Sequence, residues 1–220
     1  MFQLFLIVLS GYLLGSIPTS LIVGKIHSQI DIRKHGSGNA GMTNIYRVLG
    51  MGPALSVAVV DILKGWLAAA VLPNYYPGLP NIDVHFSGVL TGSAAVLGHT
   101  YTIFAGFRGG KGVATLLGLI IALYPYAIPI CALVFILTLI TWGYVSVSSI
   151  TATGTLPLFV WILPQFDFPP AGLSLQIFTL IVFFYIVFTH RSNISRLRKG
   201  TENRFDKVVL LKKTLKDDSS

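Results

Sequence analysis

The chain of 220 residues is 53% hydrophobic and only 11% charged, with a mean hydropathy of +0.73, whereas a soluble domain carries about 25% charged residues; too few polar side chains remain to cover a water-facing globule. The net charge of +8 does not signal nucleic acid, because the basic residues fall between long apolar blocks and form no single patch. One cysteine, Cys131, inside an apolar block, excludes an internal disulfide and a cysteine metal cluster.

The apolar blocks have roughly the length of membrane spans, and the composition predicts one all-α integral membrane domain. The N-terminal MFQLFLIVLSGYLL has no basic leader and no small-residue cleavage site, so a retained first span is expected from about Phe2 to Gly24. Further segments follow at Val48 to Leu72, Phe86 to Ala105, Val113 to Leu123, Tyr126 to Trp142, Ile150 to Leu163 and Leu173 to Thr189, with Pro125 parting the fourth from the fifth. The fourth and sixth are short for a full crossing. About seven transmembrane helices are therefore expected, some short or broken, with five as the competing count.

Placing the N-terminus outside puts Lys25, Arg33, Lys34 and Arg47 in a first inner loop and Arg108 and Lys111 in a second. Arg191, Arg196, Arg198, Lys199, Arg204, Lys207, Lys212, Lys213 and Lys216 follow the last span. The outer loops, Pro73 to His85 and Pro164 to Gly172, carry no Lys or Arg. This is the pattern of the positive-inside rule. Residues 1–205 read as the membrane domain and 206–220 as a polar, basic cytoplasmic tail suited to anionic lipid.

Polar sequence gathers in four stretches, all on the predicted inner side. KHGSGNAGMTNIYR, Lys34 to Arg47, intersperses Gly36 and Gly38 with Ser37, Asn39, Thr43 and Asn44. Glycines allow successive amides to turn toward one anion, and Arg47 adds a charged fork. GFRGGKGVAT, Gly106 to Thr115, sets Gly109, Gly110, Lys111 and Gly112 before a predicted helix. It is not a Walker A motif: Ala105 stands where the first glycine belongs and Gly112 follows the lysine. Cradling of a smaller phosphate, with Lys111 as a point charge, is the reading left. YVSVSS, Tyr144 to Ser149, is weak alone, since serines in spans commonly bond helix carbonyls. HRSNISRLRKGTE, His190 to Glu202, places His190 and Asn193 on one helical face, and Arg191 with Ser195 on another.

Inside the second span, Asp61 and Lys64 are three residues apart and can neutralise one another. Intramembrane charges are rare and usually functional. Support of the site loops and direct substrate contact are evenly matched for them. His99, beside Thr100 and Tyr101, reads as a supporting helix-end histidine.

Taken together, GSIPTSLIVGK, KHGSGNAGMTN with Arg47, DILKG, GHTYTIFAGFRGGKGVAT, YVSVSS and HRSNISRLRKGTE resemble the bacterial acyl-phosphate:glycerol-3-phosphate acyltransferase family (PlsY type). They run in order from Gly15 to Glu202. Ala40 stands where the family often has proline, and Met42 where it often has alanine. The resemblance implies transfer of a fatty acyl group from acyl-phosphate to the first hydroxyl of glycerol 3-phosphate at the cytoplasmic face of a bacterial inner membrane. It implies no cofactor and no metal, and a partner upstream that forms acyl-phosphate. By resemblance Gly109, Gly110, Lys111 and Gly112, with Thr115, hold the phosphate of glycerol 3-phosphate. Ser37, Arg47, Ser148, Ser149 and His190 surround acyl-phosphate and its oxyanion. Asn193 and Glu202 orient the last motif. Gly36, Gly38, Asn39, Thr43, Asn44, Arg191 and Arg196 complete the binding residues, with Asp61, Lys64 and His99 as support.

A histidine base of the H-x-x-x-x-D kind is excluded, because His27 to Asp31 is one residue short and no other histidine comes nearer. There is no carboxylate cluster for a catalytic metal. The proton of the attacking hydroxyl goes either to His190 or to a substrate phosphate oxygen. A transporter for an organic phosphate is the rival class, but such proteins place binding groups at mid-bilayer in repeated halves, and no repeat is visible here.

Overall fold

The computed structural model describes residues 2–75 and 84–209. Most of the expected outer loop at Pro73 to His85, and the tail beyond Val209 with Lys212, Lys213 and Lys216, lie outside the described residues. Among those residues there are helices and turns and no strand. Two compact units are distinguished: Met1–Pro125 with Gly172–Leu175, and Tyr126–Ala171 with Gln176–Ser220.

The first unit begins with α1 (Phe2–Gly15) and α2 (Thr19–Ser28), which form one apolar stretch interrupted at Pro18. Proline lacks the amide that an unbroken helix needs, and at the break the Ile17 carbonyl accepts from the Thr19 amide at 2.9 Å. The carbonyls of Ser16 and Ile17 at this break also take side-chain donors, Thr102 Oγ1 for Ser16 and Lys64 Nζ at 2.7 Å for Ile17. The expected second span is divided. Gly50, at φ 87°, ends the amphipathic α3 (Met42–Leu49) and opens α4 (Met51–Trp66). A π turn, Leu67–Val71, prolongs α4. Then come α5 (Val84–Thr100) and α6 (Val113–Leu123).

Small residues let these helices approach closely. A methyl group built on Gly15 of α1 would lie 2.0 Å from the Ala95 carbonyl oxygen of α5, and one on Gly118 of α6 would lie 1.9 Å from the Ile62 oxygen of α4. These contacts hold α5 against α1 and α6 against α4. A buried apolar cluster of Ile32, Ile45, Ala54 and Val57 anchors the first polar loop against α3 and α4.

The second unit holds α7 (Ile128–Trp142), α8 (Val145–Ile162), most of α9 (Leu173–Thr189) and α10 (Arg191–Arg198). The expected sixth segment starts too late in sequence, because Val145–Ser149 is the first turn of α8 and not a loop. Gly143, at φ 79°, ends α7. Its carbonyl accepts from the Phe205 amide at 2.8 Å, and Arg204 Nε donates to the Trp142 carbonyl at 3.0 Å. A cation at a helix C-terminus is favoured by the helix dipole. Residues Asp206–Val208 form a 3-10 turn and Val209 is buried, so the chain just past Phe205 is folded onto this unit.

By length and composition, four helical stretches among the described residues can cross a membrane: Phe2–Ser28, Met51–Tyr75, Pro125–Trp142 and Val145–Phe166. The pair α9 and α10, bent by 55°, makes a fifth if counted as one. The expected fourth segment is the shorter α6, whose 11 residues rise only about 16 Å, half of a hydrocarbon core.

Candidate active site

The first polar loop is built around Asn44, which is 1% exposed. Its Nδ2 donates to the carbonyls of Ile32 at 3.1 Å and His35 at 2.9 Å, and its Oδ1 accepts from the Ser37 amide at 2.8 Å. Three bonds from one amide shape the turn 32–37. Gly36 sits at φ 59°, where a Cβ would strike Asn44 Oδ1 at 2.3 Å. At the base of the loop Asp31 accepts from the Arg33 amide and from its guanidinium, at 3.0 and 2.8 Å. Those bonds from Arg33 hold the Asp31 carboxyl down at about 2 and push the guanidinium up. Arg33 Nη1 reaches on to the Ala105 carbonyl at 2.8 Å, joining the first loop to the second. Thr43 and Arg47 lie four apart on α3, on one helical face and half-buried.

The second loop leaves α5 at Thr100. Its amides at Gly109 and Gly110 donate back to the carbonyls of Thr100 at 2.9 Å and His99 at 3.1 Å. They are thus engaged with α5, and an anion in this loop has to be met by others. The donors in place are the amides that open α6, from Gly112 to Thr115, which an α-helix leaves without intrahelical partners. What Gly109 and Gly110 supply is clearance: a Cβ on the first would fall 1.9 Å from the His99 oxygen, and on the second 2.2 Å from His99 Nε2. Gly112, at φ 85°, turns the chain into α6. Lys111 beside it is half-buried. Thr115 is fully buried, and its hydroxyl makes no hydrogen bond among the described residues.

Beneath this loop lies a buried ionic cluster. Lys64 Nζ stands 2.6 Å from Asp61 Oδ1, and His99 Nδ1 stands 3.6 Å from the same oxygen. A small cavity touches it, lined by Ile17, Ser20, Asp61, His99, Thr102 and Gly110. At about 10 Å³ it has room for one water molecule and not for a glycerol phosphate.

In the second unit the focus is Glu202, whose side chain is 3% exposed. Oε1 accepts from Asn193 Nδ2 at 2.6 Å and Ser146 Oγ at 2.9 Å; Oε2 accepts from Arg196 Nε at 2.7 Å. Burial pushes its pKa up, but the bonds from Asn193, Arg196 and Ser146 prevail and hold it below the ordinary value. Ser148 and Ser149, both buried, donate to the carbonyls of Tyr144 and Val145 one turn back. His190 is buried with Nδ1 2.8 Å from the Ile186 carbonyl. A carbonyl only accepts, so Nδ1 carries the proton in this contact. Arg191 is exposed over the Phe188 ring, 4.5 Å from its centroid.

The residues singled out by sequence therefore divide. Gly36, Ser37 and Asn44 meet in one turn; Gly109, Gly110, Asp61, Lys64 and His99 meet in another place of the same unit. Asn193, Arg196 and Glu202 meet in the second unit. Asn39 is half-buried and Gly38 exposed at φ 74° on the first loop. Ser146 was missed, although it stands in YVSVSS beside the two serines chosen. Its signal is its place at the start of a helix whose apolar face begins later. Arg33 was read only as a basic residue, and the signal for more is Asp31 two positions before it.

The helices define a multi-pass membrane protein, with two polar loops joined at one side of the first unit. A family model described as "Glycerol-3-phosphate acyltransferase" matches residues 5–200. The glycerol-3-phosphate acyltransferase of Chlorobium chlorochromatii (strain CaD3) is 42% identical over 228 residues, covering 93% of this chain and 97% of the relative. That of Halalkalibacterium halodurans is 44% identical over 200 residues, covering 90% and 94%. A crystal structure of PlsY (YgiH), an integral membrane glycerol 3-phosphate acyltransferase in its glycerol 3-phosphate form, is 36% identical with a TM-score of 0.80, covering 92% of this chain and 95% of that one. Its lysophosphatidic acid form gives 35% and 0.80, covering 94% and 98%. The chain belongs to the glycerol-3-phosphate acyltransferase family.

Proposed function

We propose that this chain transfers a fatty acyl group from acyl-phosphate to the sn-1 hydroxyl of glycerol 3-phosphate, giving lysophosphatidic acid and phosphate at the start of phospholipid synthesis. The observation that carries the reading is the glycine loop feeding the N-terminus of α6 with Lys111 beside it, in a chain of this family. Solved relatives in the glycerol 3-phosphate and lysophosphatidic acid forms support the acceptor and the product. Acyl-phosphate as donor rests on the resemblance of the motifs, and its supply calls for a separate acyl-phosphate-forming enzyme upstream.

In this reading the amides opening α6, with Lys111, hold the phosphate of glycerol 3-phosphate. Ser37 and Arg47 face acyl-phosphate, and by the resemblance of their motifs Ser148, Ser149 and His190 are counted among the catalytic residues. The acceptor oxygen attacks the acyl carbon, charge develops on the carbonyl oxygen, and the bond from acyl carbon to phosphate oxygen breaks. Fixed donors near that oxygen stabilise the charge. The hydroxyl proton passes to a phosphate oxygen of the substrate. Phosphate is a good leaving group, so positioning and charge stabilisation suffice. Asn44 and Glu202 keep the loops in shape.

Positive charge flanking the apolar stretches supports a cytoplasmic site and an outer N-terminus in a bacterial inner membrane. Purified protein given a long-chain acyl-phosphate and glycerol 3-phosphate should release phosphate and form lysophosphatidic acid in equal amounts, with none formed when acyl-CoA replaces the donor. Product from acyl-CoA alone would overturn the donor assignment, and no product from either donor would overturn the activity.

A further inference from the structure

We infer that His99, held by Asp61 and Lys64, is a positioning residue for the anion loop: its imidazole is the floor on which Gly110 rests. The inference rests on the reading of that loop as the glycerol 3-phosphate site.

Three elements converge on this cluster. From α4 come Asp61 and Lys64, 1% and 2% exposed. From α5 comes His99, 8% exposed, with Nδ1 toward the Asp61 carboxylate at 3.6 Å. From the break between α1 and α2 comes the Ile17 carbonyl, which accepts from Lys64 Nζ at 2.7 Å. One lysine thus binds a carboxylate and a carbonyl at the helix break, and the carboxylate in turn orients the ring. An unpaired charge in so buried a place is costly, so the three groups hold one another.

The ring acts on the loop from two sides. The backbone of His99 accepts from the Gly110 amide at 3.1 Å. The side chain of the same residue occupies the space over the Gly110 α-carbon, where a methyl group would come within 2.2 Å of Nε2. A second wall, the Ala40 carbonyl of the first polar loop, stands 2.8 Å from the same point. Gly110 is therefore clamped between a ring whose orientation Asp61 sets and a carbonyl of the neighbouring loop. Lys111 and the α6 amides follow Gly110 directly in sequence, so displacement of Gly110 re-aims the groups that meet the phosphate. A change in that aim bears on binding more than on overall folding, because the amides of Gly109 and Gly110 keep their bonds to the α5 carbonyls without the ring.

The consequence is a specific coupling. Gly110→Ala forces an encounter with the His99 ring, and His99→Asn keeps a donor toward Asp61 while withdrawing the far nitrogen. The full-length chain is assayed in detergent for glycerol 3-phosphate binding by calorimetry, and for turnover with acyl-phosphate. Gly110→Ala alone should weaken glycerol 3-phosphate binding by about tenfold or more, whereas in the His99→Asn background the same change should cost about threefold or less. The KM for acyl-phosphate should change less than about twofold throughout. An equal cost of Gly110→Ala in both backgrounds overturns the inference, as does His99→Asn binding with unaltered affinity. If His99→Asn fails to fold, His99→Gln serves as the second background, with its longer amide kept near the glycine; there the cost of Gly110→Ala should stay near its full size, and a relieved cost overturns the inference. Coupled binding without turnover would sink the proposed activity and leave the brace standing; turnover with uncoupled binding does the reverse.

Discussion

The first polar loop and the Glu202 cluster are each organised by one buried side chain, but in opposite electrical senses. Asn44 is neutral and uses both ends of its amide on backbone, two donors and one acceptor, so the turn around it is shaped without introducing charge. Glu202 is a carboxylate that collects three side-chain donors from two other segments, Ser146 on α8 and Asn193 and Arg196 on α10. The contrast teaches where a protein that binds anions can keep a buried carboxylate. At the turn of the first polar loop the pin is an amide, which brings no charge to the substrate, whereas beneath the glycine loop the buried Asp61 carboxylate is matched by Lys64 at 2.6 Å. In the C-terminal motif a carboxylate is tolerated because its charge is already matched by donors.

The comparison breaks most visibly at the group that belongs to neither pin. Lys111 stands at the entry of α6, and if it meets phosphate as a point charge, Lys111→Met should lower kcat/KM for acyl transfer by about 10²- to 10³-fold. Circular dichroism should stay that of the parent. Activity within about threefold of the parent would remove Lys111 from the site and leave the α6 amides as the anion donors.

Next in size is the carboxylate pin. Glu202→Ala deletes the shared acceptor of three donors and should cost about 2–3 kcal/mol of stability, seen as a lowered thermal midpoint in detergent. The sign with pH follows from its depressed pKa. The fold favours the ionised form, so the contribution is whole above the ordinary value of 4.5 and is lost as pH falls through the lower native value. The midpoints of the parent and of Glu202→Gln should therefore lie apart at neutral pH and converge as pH drops below 4.5. Curves that stay parallel would mean that Glu202 is not the ion the geometry makes it.

The neutral pin is weaker. Asn44→Ala should cost about 1–3 kcal/mol, since the carbonyls of Ile32 and His35 and the amide of Ser37 lose their partners. Asn44→Asp is the sharper probe: it keeps the acceptor for Ser37 but turns the donating end into a second acceptor against two carbonyls. It should be at least as destabilising as alanine and should also raise the KM for the anionic substrates. An aspartate variant with parental KM would show that the absence of charge at this pin has nothing to do with substrate.

Much of this was legible from residues alone, for a physical reason. Hydropathy is additive along the chain, so the ends of α6 and α9 could be read directly from apolar runs, and the density of glycine and short polar residues marked the loops. Partner choice is not additive. Nothing local says that the amide of Gly110 bonds to His99 and not to a ligand, or that Ser146 reaches a carboxylate 56 positions away. Serines 148 and 149 look alike in sequence and both turn to helix carbonyls, which periodicity expects of any serine in a span. The division of the second apolar segment at Gly50 escaped because a glycine in an apolar run carries no sign of its positive φ until neighbours fix it. Arg33 shows the same limit: a basic residue in an inner loop satisfies the charge rule whether or not it holds anything.

Arg33 yields the smallest expected effect and the finest test of how the loops are joined. Its fork bonds Asp31 with Nε and one Nη, and the other Nη reaches the Ala105 carbonyl at 2.8 Å. A lysine keeps the charge but has no planar fork to serve both partners. The pair is partly exposed, 29% and 26%, so Arg33→Lys should cost less than about 1 kcal/mol. The Asp31 carboxyl, held at about 2 by the fork, should titrate closer to 3.8 in the variant, measurable by carbon NMR of labelled aspartate. Because its native value is the lower one, the pair's contribution is complete above 3.8 and disappears as pH falls toward 2. If the reach to Ala105 transmits the first loop's shape to the glycine loop, the KM for glycerol 3-phosphate should rise a few-fold at neutral pH, where Asp31 is ionised in both proteins. A shifted Asp31 titration with an unchanged KM would confine Arg33 to its own turn and leave His99 and the Ala40 carbonyl as the guides of Gly110.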